Sequence, residues 1–340
     1  MTTAAPPVLV VGAKGLGPGG GVTTLHLDRA GSARRAAGTI VPAARPVAIT
    51  AGDGVVYVAC AGEDAILSIR VAADGRLGRW TRTPAAGRSP CSCAVVPGGY
   101  LATANYLAGT VSLHALDRTG LLGAPADVAQ VPRRPPGPVR ERQPGPRPHQ
   151  VRIGPGGEVL VCDLGGDAVW SYEVRRGRLR LAGRLDLPPG TGPRNLAPSA
   201  GPPGAAAAVV AGELAGTAVG VDLRARRVHS PPLAVGPGSG QPAGIAAGPA
   251  ATYVADRASD TVTAFRWEHG TLRRTADLAV AAFPLSLAVA GYDGQDHLVV
   301  ASRDAGVVSG HAIGADGAPD PRPSFRVAVP GVIAVSAYRP

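Results

Sequence analysis

Pro148-His149-Gln150-Val151-Arg152-Ile153-Gly154-Pro155-Gly156-Gly157-Glu158-Val159-Leu160-Val161-Cys162-Asp163-Leu164-Gly165-Gly166-Asp167-Ala168-Val169-Trp170-Ser171-Tyr172 is the stretch on which the architecture turns. His149, Val151 and Ile153 alternate with Gln150 and Arg152, Gly154 to Gly157 form a turn, Glu158 to Cys162 run back, and Ala168 to Val174 return once more. Apolar residues at period two, punctuated by glycine-rich turns, predict three short antiparallel strands in a meander.

Working outward, the same plan recurs. Copies open at Pro46, Pro90, Pro148, Pro193, Pro242 and Pro284, with spacings of 44, 58, 45, 49 and 42 residues, and Pro330 follows 46 later. A period in the forties with several strands per unit marks a β-propeller. The long spacing is explained by a Pro/Arg-rich insertion, residues 131–147. Pro330-Gly331-Val332-Ile333-Ala334-Val335-Ser336-Ala337-Tyr338 reads as an opening strand with nothing after it, whereas Val8 to Val11 and Val22 to Leu27 read as later strands without an opener. Joined, they complete a seventh blade and remove two open sheet edges. The expectation is therefore an all-β, seven-bladed propeller, closed by N-terminal strands pairing with the C-terminal strand, with residues 1–340 forming one domain.

Composition agrees and excludes several function classes. Forty-eight Gly and 34 Pro suit a chain made of turns, and 45% hydrophobic residues suffice for a core. The net charge of +10 comes almost wholly from arginine, because Lys14 is the single lysine. These cations are dispersed rather than gathered in a helix or tail, and stacking aromatics are scarce, so no nucleic acid is expected as a partner. Met1 to Pro7 lacks the pattern of a signal peptide and no apolar run reaches membrane-spanning length, so a cytoplasmic protein with no membrane partner is expected, monomeric or weakly dimeric. Cys60, Cys91, Cys93 and Cys162 lack paired metal spacing and read as buried free thiols. The glycines around Lys14 read as a wide loop, since no helix follows to cradle a phosphate.

The insertion holds Arg133, Arg134, Arg140, Arg142 and Arg147 against one acid, Glu141, and its prolines bar ladder pairing. It should be an extended rim loop, or a lid, since it runs directly into His149. In a propeller the start of a blade's first strand and the end of its second meet at one rim. His149 and Arg194 stand at first-strand starts; Glu213, Arg257, Arg303 and Lys14 stand at or just after second-strand ends. All six should face one mouth of the channel. A histidine and a carboxylate beside guanidinium groups suit acid/base work on an anionic small molecule. Asn105, Asp163, Glu213 and Asp256 read as equivalent blade positions, and their oxygens suggest either turn caps or a hard-cation site. The neighbouring cations argue against the metal, and no metal or other cofactor is expected.

Several of these residues together resemble a known family. Glu141-Arg142-Gln143 ahead of Pro148-His149, Asp163-Leu164-Gly165 with Asp167, Gly192-Pro193-Arg194, Glu213-Leu214 followed by Thr217, Asp256-Arg257, and Asn105-Tyr106 with Gly109-Thr110-Val111-Ser112 look like the lactonase family of seven-bladed propellers. That family includes bacterial 6-phosphogluconolactonases and fungal carboxy-muconate lactonizing enzymes. The resemblance spans nearly the whole chain. It implies metal-independent opening or closing of a lactone at the channel mouth, with His149, Glu213, Arg194 and Arg257 as catalytic and anion-binding residues. Lys14, Asn105, Arg147, Asp163, Asn195 and Arg303 complete the expected substrate-binding set. The chain departs from the family pattern where Asn195, Ala243-Gly244-Ile245, Leu285-Ser286, Ser92 and Arg147 replace expected residues, mostly histidines, which implies a changed substrate.

Hydrolysis of the 6-phosphogluconolactonase type, within carbohydrate metabolism, is the first expectation. A cyclase or isomerase acting on a natural-product carboxylic acid would use the same groups. A non-catalytic propeller binding a small anion or a partner protein is the third reading, motivated by the missing histidines.

Overall fold

A computed structural model describes residues 8–27, 33–35, 40–238, 240–292 and 294–338. Seven antiparallel sheets follow one another along the chain. The innermost strands are Pro46–Ala51, Pro90–Val96, Pro148–Ile153, Pro193–Pro198, Pro242–Ala247, Pro284–Tyr292 and Val332–Tyr338. They define blades one to seven. Val8–Ala13 pairs with Val332–Tyr338, from Val8 opposite Tyr338 to Ala13 opposite Val332, so strands from both ends of the chain close the ring.

Each second strand is buried along all or most of its length, Val159–Asp163 and Val55–Cys60 completely. A strand covered on both faces reads as an apolar run rather than an alternation. The core accordingly forms a ring of interfaces. Val111 and Leu113 of blade two pack against Val161, Trp170 and Tyr172 of blade three, and Leu160 and Cys162 of blade three pack against Leu196 and Val210 of blade four. Blades one to six carry a fourth, outer strand that the three-strand reading omits, for example Arg178–Asp186. Its outward side chains are mostly arginines and other polar groups, with isolated apolar ones such as Leu181, so it adds little to the apolar pattern.

Each blade is closed at the mouth by a repeated backbone device. The residue just after each second strand donates its N–H to the residue before the innermost strand of its own blade: Ala61 to Arg45, Tyr106 to Ser89, Leu164 to Arg147, Glu213 to Gly192, Arg257 to Gln241, Arg303 to Phe283 and Lys14 to Gly331. This register places Val332, not Pro330, at the opening position of blade seven. Three residues further on, the chain turns through a left-handed conformation: Asp64, Asp167 and Asp260 in blades one, three and five, glycines in the other four. Aspartate tolerates this region and its carboxylate can fasten neighbouring backbone. Asp64 accepts from Ser89 N, Asp260 from Phe283 N, and Asp167 from both Gly190 N and Gly192 N, each reaching the segment that opens the next blade.

Candidate active site

A register shift sits at the top of every innermost strand. In blade three Pro148 pairs with Asp163 and Gln150 with Cys162, leaving His149 as an extra residue. The same bulge frees Arg194 between Pro193 and Asn195, and Cys91 in blade two. A bulged residue owes nothing to the ladder, and its side chain is re-aimed. Here the bulges of blades three and four turn His149 and Arg194 into a channel cavity of ≈ 840 Å³.

Glu213 is the electrostatic centre. Its side chain is 2% exposed, and both oxygens are taken by guanidinium groups. Oε1 accepts from Arg142 Nη2 at 2.7 Å and Arg257 Nη2 at 3.0 Å, while Oε2 accepts from Arg194 Nη1. Burial works against ionisation, but Arg194 and Arg257 overcome it and hold the carboxyl well below the usual carboxylate range. Glu213 therefore stays a carboxylate, with both oxygens engaged by guanidinium donors. It fixes three cations.

His149 is the opposite case. Burial, then the field of Arg194, pushes its pKa down to about 3, so the imidazole is neutral. Its Nδ1 is buried with no hydrogen-bond partner among the described residues. Tyr106 meets the ring edge-on at 5.5 Å, and Arg147 lies 5.7 Å over Tyr106. Arg303 stacks on Phe283 at 3.6 Å and pairs with Asp304.

His149, Arg194, Arg257, Lys14, Asn195 and Arg303 all line the one cavity, with Glu213 beneath its arginines. Asn195 is engaged, its Nδ2 donating to Ala243 O at 2.7 Å. Arg147, expected to bind substrate, lies over Tyr106 and does not line the cavity. Asn105 and Asp163 do not reach it either. Asn105 is fully buried and donates to Thr110 and Ser112; Asp163 accepts from Arg147 N and Trp170 Nε1. Both cap strand ends inside their own blades, as does Asp256, which accepts from Gln241 N, Ala258 N and Ser259 Oγ. The pairing partners of the opening prolines are Asn105, Asp163, Gly212 and Asp256, so Glu213 lies one residue past the position it was expected to share with them. Among the described residues no group of three His, Cys, Asp or Glu could hold a metal ion.

Arg142, Tyr106, Arg45 and Arg152 also line the cavity and were not in the expected set. Arg142 arrives on the insertion, which docks through the fully buried Gln143: Nε2 donates to Leu164 O at 3.0 Å and Oε1 accepts from Val139 N at 3.2 Å. Tyr106 could have been found, because it occupies the same after-strand position as Glu213, Arg257, Arg303 and Lys14. Among the described residues the cavity is lined by Lys14 and six arginines and by no carboxylate. Its lining is therefore strongly electropositive.

Comparisons with known proteins agree with the seven-bladed architecture. The family model described as "Lactonase, 7-bladed beta-propeller" matches residues 8–333. The 6-phosphogluconolactonase of Bacillus subtilis (strain 168) is 33% identical over 113 residues, a match that covers 33% of this chain and only 32% of that protein. A candidate 6-phosphogluconolactonase from Bacteroides fragilis NCTC 9343 superposes with a TM-score of 0.86 at 21% identity, covering 99% of each chain. The periplasmic gluconolactonase of Pseudomonas aeruginosa superposes with a TM-score of 0.82 at 21% identity, over 99% of this chain and all of that one. At such identities the two superpositions speak for the fold.

Proposed function

Because the chain belongs to the lactonase family of seven-bladed β-propellers, we propose that it hydrolyses the lactone of a small anionic molecule, in the manner of a 6-phosphogluconolactonase. One observation carries this reading: a neutral His149 stands beside Arg194 and Arg257, whose guanidinium groups a buried carboxylate fixes at the mouth of an otherwise cationic cavity.

The chemistry follows from what each group can do. Arg194 and Arg257 present N–H donors that are already oriented, which suits the oxygen of a lactone carbonyl as it gains charge. His149 takes a proton from the attacking water, the water oxygen bonds to the carbonyl carbon, and the tetrahedral oxyanion rests against the guanidinium groups. Collapse breaks the ring C–O bond, and the proton returns from His149 to the leaving alkoxide, giving the hydroxy acid. A pKa near 3 makes the free imidazole a weak base. An anionic substrate offsets the positive field of Arg194 and raises that basicity on binding. Glu213, with both oxygens occupied, is a positioning residue and takes no proton. The same groups run ring closure in reverse.

The test is turnover of anionic lactones, beginning with 6-phosphoglucono-1,5-lactone, followed by acid release. His149→Ala should lower kcat by about 100-fold or more with the fold intact, as expected for a lost general base. Turnover by the variant at the wild-type rate, or no hydrolysis of any anionic lactone by the wild type, would refute the assignment.

A further inference from the structure

Among the cavity cations that the chemistry above does not use, Arg152 stands apart by its depth. Arg152 lies on the innermost strand of blade three, three residues below His149, which at the rise of a strand is about 10 Å deeper in the channel. Four positions after the strand opening, the other blades carry Thr50, Ala94, Ala197, Ala246, Ala288 and Ser336. The register thus puts one long charged side chain where six blades keep a small one.

Arg152 lines the cavity, yet among the described residues it has neither an ion-pair partner nor a hydrogen bond. Arg142, Arg194 and Arg257 share Glu213 and Arg303 has Asp304, whereas Lys14 and Arg45, also without an ion pair among the described residues, are exposed to solvent. Buried charges are normally paired, because desolvation is costly without compensation. Nothing in the wall at this level supplies an acid: Thr50 donates its hydroxyl to Cys93 O at 2.6 Å, and Gln150 Oε1 accepts from Leu196 N at 2.7 Å. Burial pushes the Arg152 pKa below its usual value, but a guanidinium remains charged at any working pH.

We propose that Arg152 is a second anion subsite, taking the phosphate or carboxylate at the far end of a lactone whose carbonyl lies at His149 and Arg194. The inference rests on the hydrolase reading for the position of the carbonyl. It narrows the substrate class to lactones with an anionic group several bonds from the ring ester, and it orients them with that group inward.

The experiment compares glucono-1,5-lactone with its 6-phosphate, using the full chain and the variants Arg152→Met and Arg152→Lys. The preference for the phosphorylated lactone, as a ratio of kcat/KM, should fall about tenfold or more in Arg152→Met, the worth of one charge-assisted hydrogen-bonded contact, and largely recover in Arg152→Lys. Calorimetric titration with inorganic phosphate should resolve two sites in the wild type and one in Arg152→Met, with His149→Ala retaining the deep one. An unchanged ratio, or a phosphate stoichiometry that Arg152→Met leaves intact, overturns the proposal. If no lactone is turned over, the hydrolase reading fails, while the phosphate stoichiometry still decides the role of Arg152.

Discussion

Glu213→Gln keeps the shape of the side chain and removes its charge. Three guanidinium groups then face an amide with one acceptor oxygen, and the amide nitrogen points its own hydrogens at a donor. The Arg194 and Arg257 side chains are 16% and 15% exposed and the Glu213 side chain 2%, so these two pairs are largely out of water. Arg142, at 42%, is solvent-screened and is left out of the sum. Removing one partner of a buried pair costs about 3–5 kcal/mol, mostly from the charge left unpaired. With an unfolding entropy of roughly 2.1 cal/mol/K per residue, a chain of this length has a slope of about 0.7 kcal/mol per degree, so Tm should drop by about 4–7 °C at pH 7. The electrostatic origin can be checked in the same melts. Added phosphate supplies the missing negative charge, so at a fixed concentration it should raise the Tm of Glu213→Gln by more than it raises that of the wild type. A Tm within about 1 °C of wild type, or equal phosphate shifts in both proteins, would refute the view that Glu213 neutralises and orients the arginines.

The pH dependence of stability should carry a signature of His149. Its folded pKa of about 3 lies below the unfolded value near 6.5, so between these limits the unfolded chain binds the proton first. Its contribution is full above about pH 6.5 and drains as pH falls toward 3, on the order of 5 kcal/mol in all. Thermal melts of His149→Gln between pH 7 and pH 4 should show a shallower loss than wild type, and parallel curves would contradict this. The insertion makes the other prediction: Gln143→Leu strands the backbone groups of Leu164 and Val139, costing about 2 kcal/mol, and frees the segment that carries Arg142. Limited proteolysis should cut the variant within residues 131–147 well before the wild type; equal cleavage rates would mean that the loop is held by other contacts.

The propeller was legible because its physics repeats. Six prolines mark where innermost strands open, and the runs 55–60 and 159–162 are apolar throughout, being packed between neighbouring blades. What sequence could not carry was register at the resolution of one residue. A bulge leaves no mark in an alternating pattern, yet it shifts every later pairing by one. That shift put Gly212 in the place expected for Glu213, and left Asn105 and Asp163 inside their blades. The opening of blade seven escaped for a related reason: Pro330 resembles the other openers, but the bond from Lys14 N to Gly331 O places the strand two residues later. Arg142 was hidden because nothing local says where a proline-rich loop will dock. Its partner lies 71 residues away.

The bulges also explain how one scaffold can keep its fold while its chemistry changes. At the bulge, four blades carry Val47, Ala243, Leu285 and Ile333, one carries Cys91, and only His149 and Arg194 bear groups suited to acid/base work or anion binding. Because these positions lie outside the ladder and beside the cavity, exchanging their side chains disturbs little packing. After-strand positions behave similarly: Ala61 and Leu164 are apolar, while Glu213, Arg257, Arg303 and Lys14 occupy an unbroken arc through blades four to seven. The acid/base group and the arginines fixed by Glu213 are therefore concentrated on the arc from His149 in blade three to Arg257 in blade five, while Arg303, Lys14 and Arg45 carry positive charge around the rest of the mouth. A substrate in a mouth ringed by cations must be oriented by its own charges. That requirement makes the separation between the arginines at the mouth and Arg152 in depth the dimension on which selectivity should turn.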